Sequence, residues 1–183
     1  MSRLFAGIPI PKDIAAQIRM SLELKKWNLP KARWLEDSDL HITLCFLGET
    51  SAEDCDELRE RLRKASLSES FHYSIDTFGT FPHWQSAKIL WAGSSKPPPT
   101  KLLNLSQNIR KIVGDLGLFF DDKALLPHVT LARFQKPWKA ASFDRESSTS
   151  AHVVTVDRYC LYESMGESSY KILESYSLSD PTR

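Results

Sequence analysis

Apolar positions along this chain switch between two spacings, and the switches lay out its elements. Leu4 to Ile8 is an apolar run of strand length. Pro11 then sits where the first turn of a helix tolerates proline, ahead of Ile14, Ile18, Leu22 and Leu24 at near-helical spacing. Leu40 to Leu47 is rich in strand formers and is closed by Gly48, after which Ser51-Ala-Glu-Asp opens a charged helix carrying Leu58, Leu62 and Ala65 on one face. Phe71 to Phe81 and Lys88 to Trp91 predict two strands joined around Pro82-His83-Trp84-Gln85-Ser86. Pro97-Pro98-Pro99 forbids helix until Thr100, and Leu102, Leu105, Ile109, Ile112, Val113 and Leu116 then form a 3.6-residue stripe ending at Gly117. Leu126 to Phe134 predicts a strand, Gln135 to Ser150 is polar and irregular, and Val153 to Tyr162 and Tyr170 to Leu178 predict two more strands. Strands and helices interleave in both halves, which makes the fold class mixed α+β.

Composition narrows this. A chain of 183 residues has room for one domain, or for two small lobes sharing a core. Hydrophobic residues at 42% and charged residues at 26% give the balance of a soluble globular protein. Lys plus Arg is 24 against 23 for Asp plus Glu, so there is no bulk positive field to hold a long nucleic acid, and any such partner has to be gripped locally. Cys45, Cys55 and Cys160 are odd in number and contain no C-x-x-C pair, against a disulfide framework or a zinc site and in keeping with a reducing cytoplasm. The N-terminal apolar run is too short for a signal peptide, and no stretch approaches the roughly 18 apolar residues of a membrane span. The expectation is a chain neither exported nor anchored.

The chemistry lies in a repeat. His41-Ile42-Thr43-Leu44 and His128-Val129-Thr130-Leu131 share the pattern His-x-Thr-Leu, one copy in each half. Chance would place Thr and Leu at these offsets from two of five histidines on the order of one time in several thousand. Strand alternation points His41, Thr43 and Cys45 to one face and Ile42, Leu44 and Phe46 to the other; likewise His128, Thr130 and Ala132 oppose Val129 and Leu131. Two such strands facing each other make a pocket with paired imidazoles and paired hydroxyls. That set suits displacement at phosphorus without a metal: a neutral imidazole takes a proton from the attacking oxygen, an imidazolium gives one to the leaving oxygen, and the hydroxyls donate to the non-bridging oxygens. His72, His83 and His152 lack the Thr partner and read as surface or structural. A metal hydrolase drawing on Asp121, Asp122 and Asp144 has no supporting ligand spacing.

With these residues in place the chain resembles the two-histidine (2H) phosphoesterases, and within them the RNA 2′,3′-cyclic phosphodiesterases, also called 2′-5′ RNA ligases, of the LigT or ThpR type. Arg3-Leu-Phe-Ala-Gly-Ile-Pro-Ile-Pro, Arg33-Trp34, Leu40 to Glu49, Phe78-Gly-Thr-Phe-Pro82, Ile89-Leu-Trp91, Pro127 to Arg133 and Leu161-Tyr-Glu-Ser164 carry the resemblance in family order. It implies a single bilobal domain over residues 1–183, with two pseudo-symmetric lobes of antiparallel sheet flanked by helices around a central cleft. It implies hydrolysis of RNA or oligonucleotide 2′,3′-cyclic phosphate ends to 2′-phosphomonoesters, with ATP-independent 2′-5′ ligation or non-catalytic nucleotide binding as alternatives. No cofactor, metal or membrane is implied; the partners are RNA or oligonucleotide ends and nucleoside 2′,3′-cyclic phosphates, and the protein is expected to be a monomer. Carried over residue by residue, His41 is the proton donor, His128 the proton acceptor, Phe46 a stacking surface for a nucleobase and Arg133 a phosphate ligand. Phe46 and Arg133 each follow their histidine by five residues, so ideal strands would turn both away from the cleft; a bulge would re-aim them.

Overall fold

A computed structural model describes residues 1–139, 147–166 and 168–180. The elements run β1 (Ser2–Pro9), α1 (Lys12–Leu24), β2 (Ala32–Trp34), β3 (His41–Thr50), α2 (Ala52–Lys64), β4 (Phe71–Phe81), β5 (Ala87–Gly93), α3 (Thr100–Asp115), β6 (His128–Trp138), β7 (Ser148–Val156), β8 (Arg158–Ser164) and β9 (Tyr170–Ser177). The three helices fall where the apolar stripes put them. Proline precedes α1 and α3, while Ser51 caps α2 by accepting a hydrogen bond from the Asp54 amide at 3.1 Å.

The strands form one sheet in the order β7-β4-β5-β6-β3-β1-β8-β9, with β2 paired to β6. All named strand pairs are antiparallel. Two half-sheets, β3-β1-β8-β9 and β6-β5-β4-β7, therefore meet along β3 and β6, where Ile42 and Val129 are the one residue pair among the described residues. This curled sheet flanked by helices is the bilobal α+β architecture that the resemblance implies. The two repeated motifs stand on the two innermost strands, at the seam between the lobes. One core cluster, including Leu4, Ile42, Leu44, Leu90, Ile109 and Val129, all fully buried, runs through both halves.

Boundaries differ from expectation where a local signal has two readings. Gly48 does not close β3, because its φ of +75° kinks the strand without ending it, a conformation glycine adopts without strain. The segment read as irregular from Gln135 begins as strand: β6 continues to Trp138, and β7 starts at Ser148; residues 140–146 lie outside the described residues, Asp144 among them. The run Val153 to Tyr162 is two strands turning at Asp157. β2 is three residues long, too short to carry a periodicity of its own.

Candidate active site

Each histidine opens its strand, and each ring is oriented by its own chain. His41 Nδ1 lies 2.7 Å from the Asp39 carbonyl oxygen, and His128 Nδ1 lies 2.7 Å from that of Leu126. A carbonyl only accepts, so both Nδ1 atoms carry the proton and Nε2 is the free, reactive nitrogen on both rings. Both copies of the motif thus solve the tautomer problem through the carbonyl two residues upstream.

The strand alternation expected of the repeat fails at the same place in both copies. On β3, Gly7 pairs with Thr43 and Ala6 with Cys45, so Leu44 is an extra residue; on β6, Trp91 pairs with Thr130 and Leu90 with Ala132, so Leu131 is extra. Each motif leucine is a bulge. Leu44 and Cys45 are buried in succession, as are Leu131 and Ala132, and from there the parity is inverted. Phe46, 37% exposed, and the exposed Arg133 consequently return to the face that carries the histidines and threonines. Cys45 and Ala132, expected on the histidine face, are core residues for the same reason; burial also pushes the Cys45 thiol up to about 11, away from nucleophilic use.

A bulge removes a carbonyl from the ladder, and both are satisfied. The buried Ser106 hydroxyl of α3 donates to Leu44 O at 2.6 Å, and the Leu35 amide donates to Leu131 O at 3.0 Å.

The resulting cleft has a volume of about 280 Å³ and brings His41, Thr43, Phe46, His128, Thr130 and Arg133 together. Among the described residues neither threonine hydroxyl has a protein partner, so both are open to a ligand. Arg3, Phe5, Ile89, Ser164 and Tyr170 complete the wall. These five come from strands whose side-chain facing is fixed only by the sheet order. Phe5 sits opposite Phe46, and Ile89 opposite Arg133, so even the flanking strands contribute at equivalent register.

The surroundings of the two rings differ. His41 is packed by Phe5 at 4.7 Å between centroids, by Tyr170 edge-on at 4.9 Å and by Tyr162 at 5.4 Å, with the Tyr170 amide donating to Asp39 Oδ1 at 3.3 Å. His128 meets Phe81 edge-on at 4.9 Å and Trp91 at 6.3 Å. Burial is the main reason that the His41 imidazole falls from 6.5 to about 4; the Asp39 carbonyl opposes the fall, and the neighbouring His128 and Arg133 add to it. His128 is also lowered, again chiefly by burial and further by Arg133, against the pull of the Leu126 carbonyl. Both rings are therefore neutral in the empty cleft near pH 7.

His152 is buried and bonded to Ser21 Oγ at 2.9 Å, a structural contact between α1 and β7. Among the described residues no group of three or more His, Cys, Asp or Glu is disposed to hold a metal ion; Asp121 pairs with Lys123. No helix among them is long and apolar enough to cross a membrane.

A family model described as the 2′-5′ RNA ligase superfamily matches residues 11–167. The RNA 2′,3′-cyclic phosphodiesterase of Thermotoga maritima is 27% identical over 164 residues, 88% of this chain and 86% of that protein. The RNA 2′,3′-cyclic phosphodiesterase of Escherichia coli K12 is 30% identical over 133 residues, 72% of this chain and 71% of that one. The crystal structure of E. coli LigT complexed with 3′-AMP superimposes with a TM-score of 0.81 at 26% identity, covering 98% of this chain and 99% of that one.

Proposed function

Because this chain belongs to the 2′-5′ RNA ligase superfamily, within the two-histidine phosphoesterases, we propose that it hydrolyses 2′,3′-cyclic phosphates at RNA or oligonucleotide ends to 2′-phosphomonoesters, without a metal. The observation that carries this reading is the doubled half-site: two Nε2 atoms with free lone pairs and two unpartnered threonine hydroxyls lining one cleft.

In the proposed reaction a water oxygen attacks phosphorus and its proton passes to His128 Nε2. The bond from phosphorus to the ribose 3′ oxygen breaks, and that oxygen receives the Nε2 proton of a cationic His41. One proton enters His128 as one leaves His41, and exchange with solvent resets the pair. Thr43, Thr130 and Arg133 hold the non-bridging oxygens as charge builds on them. Phe46 stacks on the terminal base. The assignment of His41 as donor follows the family resemblance, its cation forming once a phosphate anion in the cleft offsets the burial that otherwise keeps the ring neutral.

The test is digestion of adenosine 2′,3′-cyclic phosphate with and without EDTA, with chromatographic separation of 2′-AMP from 3′-AMP. The reading expects 2′-AMP at an unchanged rate in chelator. Formation of 3′-AMP overturns the regiochemistry, chelator-sensitive turnover overturns the metal-free mechanism, and tight nucleotide binding without turnover makes the chain a binding module.

A further inference from the structure

Arg33 on β2 is the cross-strand partner of Arg133 on β6. Residues directly opposed in an antiparallel pair project from the same face with Cβ atoms about 5 Å apart, and like charges so placed destabilise the pair. The usual remedy is a carboxylate, and this protein uses it elsewhere: Arg19 pairs with Asp37, Arg61 with Glu57, and Arg59 and Arg63 share Glu174. Arg33 and Arg133 are both exposed, and among the described residues no ion pair or hydrogen bond holds either guanidinium. Their placement is nevertheless firm, because the β2 ladder continues into the Leu35 amide that satisfies the bulged Leu131. A rigidly mounted, uncompensated pair of forked cations, one of them in the cleft wall, is built for a polyanion.

We propose that Arg33 binds the phosphodiester on the 5′ side of the terminal nucleotide while Arg133 binds the reacting phosphate. Arg33 is then a specificity-determining residue that selects oligonucleotide ends over cyclic mononucleotides. The inference rests on the cyclic phosphodiesterase reading and extends it by one nucleotide. It also agrees with a net charge of only +1, since two placed cations do what a bulk field does not.

The experiment compares kcat/KM of wild type, Arg33→Gln and Arg33→Lys on adenosine 2′,3′-cyclic phosphate and on the dinucleotide ApA ending in the same cyclic phosphate, across a KCl series. Wild type is expected to favour the dinucleotide about tenfold, and Arg33→Gln to erase that preference through KM without slowing the mononucleotide. The slope of log kcat/KM against log salt for the dinucleotide should fall by about 0.7 in Arg33→Gln, with Arg33→Lys keeping most of it. An equal loss on both substrates, or no loss on either, overturns the proposal. If wild type turns over neither substrate, the cyclic phosphodiesterase reading has failed separately. The Arg33 proposal is then decided by fluorescence anisotropy with a 5′-fluorescein ApA 2′-phosphate: about tenfold weaker binding in Arg33→Gln upholds it, and unchanged binding overturns it.

Discussion

The half of the site on β3 and the half on β6 agree in everything that places the reacting nitrogen and differ in what surrounds it. Both open a strand with histidine, tie Nδ1 to the carbonyl two residues back, and spend the motif leucine on a bulge. After the bulge one half presents a phenyl ring and the other a guanidinium. One imidazole sits among three aromatic rings at 9% exposure, and the other is more open. The shared parts aim the two imidazoles alike, and the divergent parts make the two walls of the cleft unlike: a phenyl ring beside the more buried imidazole, a guanidinium beside the more open one.

The largest effect should come from the shared parts. His41→Ala and His128→Ala are each expected to lower kcat by about 10³-fold or more, with the double variant little worse than either, because the pair acts as a unit. Full activity in either single variant would separate the two halves and end the comparison. Next come the divergent residues. Arg133→Met is expected to reduce kcat/KM by about 10²-fold with a large share in kcat, whereas Phe46→Ala should lose about tenfold, mainly in KM. Equal partition of the two losses between kcat and KM would show that the halves are not specialised.

Acidity sharpens the contrast. Folded His41 titrates at about 4 against 6.5 for an exposed imidazole, so its neutral form is the one the fold favours. The stabilisation is fully present above pH 6.5 and is lost as pH falls through 6.5 toward 4, because the unfolded chain binds the proton first. Urea denaturation should therefore show wild type losing about 3 kcal/mol relative to His41→Gln between pH 7 and pH 4. At pH 7, calorimetric titration with 2′-AMP in two buffers of different ionisation enthalpy should report uptake of about one proton, absent in His41→Ala. The smallest effect concerns the bulges. Ser106→Ala strands the Leu44 carbonyl and is expected to destabilise the fold by about 1–3 kcal/mol while weakening base recognition through Phe46. The corresponding donor on the other side is the Leu35 backbone amide, which no ordinary side-chain substitution removes.

The helices were readable because their apolar stripes are long enough for the period to declare itself, Leu102 to Leu116 above all. The histidines and threonines were readable because the motif occurs twice. Strand alternation puts Cys45 on the wrong face and makes Phe46 and Arg133 depend on a bulge, because it cannot register an extra residue, and Leu44 looks like any other core leucine. Phe5 and Tyr170 are not legible in the sequence for a different reason. β1 is buried along most of its length, and Tyr170 reaches His41 across 129 positions of chain, so only the order β3-β1-β8-β9 says what they face. The Trp91 indole crosses Gly79, where a Cβ would come within 1.9 Å of the ring, a pairing no local pattern announces.

Because each imidazole takes its orientation from the carbonyl two residues upstream, just before its strand begins, the aim of the ring is set locally and borrows no carboxylate from a distant loop. Ring aim is thus a property of three consecutive residues in each half, Asp39 to His41 and Leu126 to His128, and does not depend on how the two lobes meet.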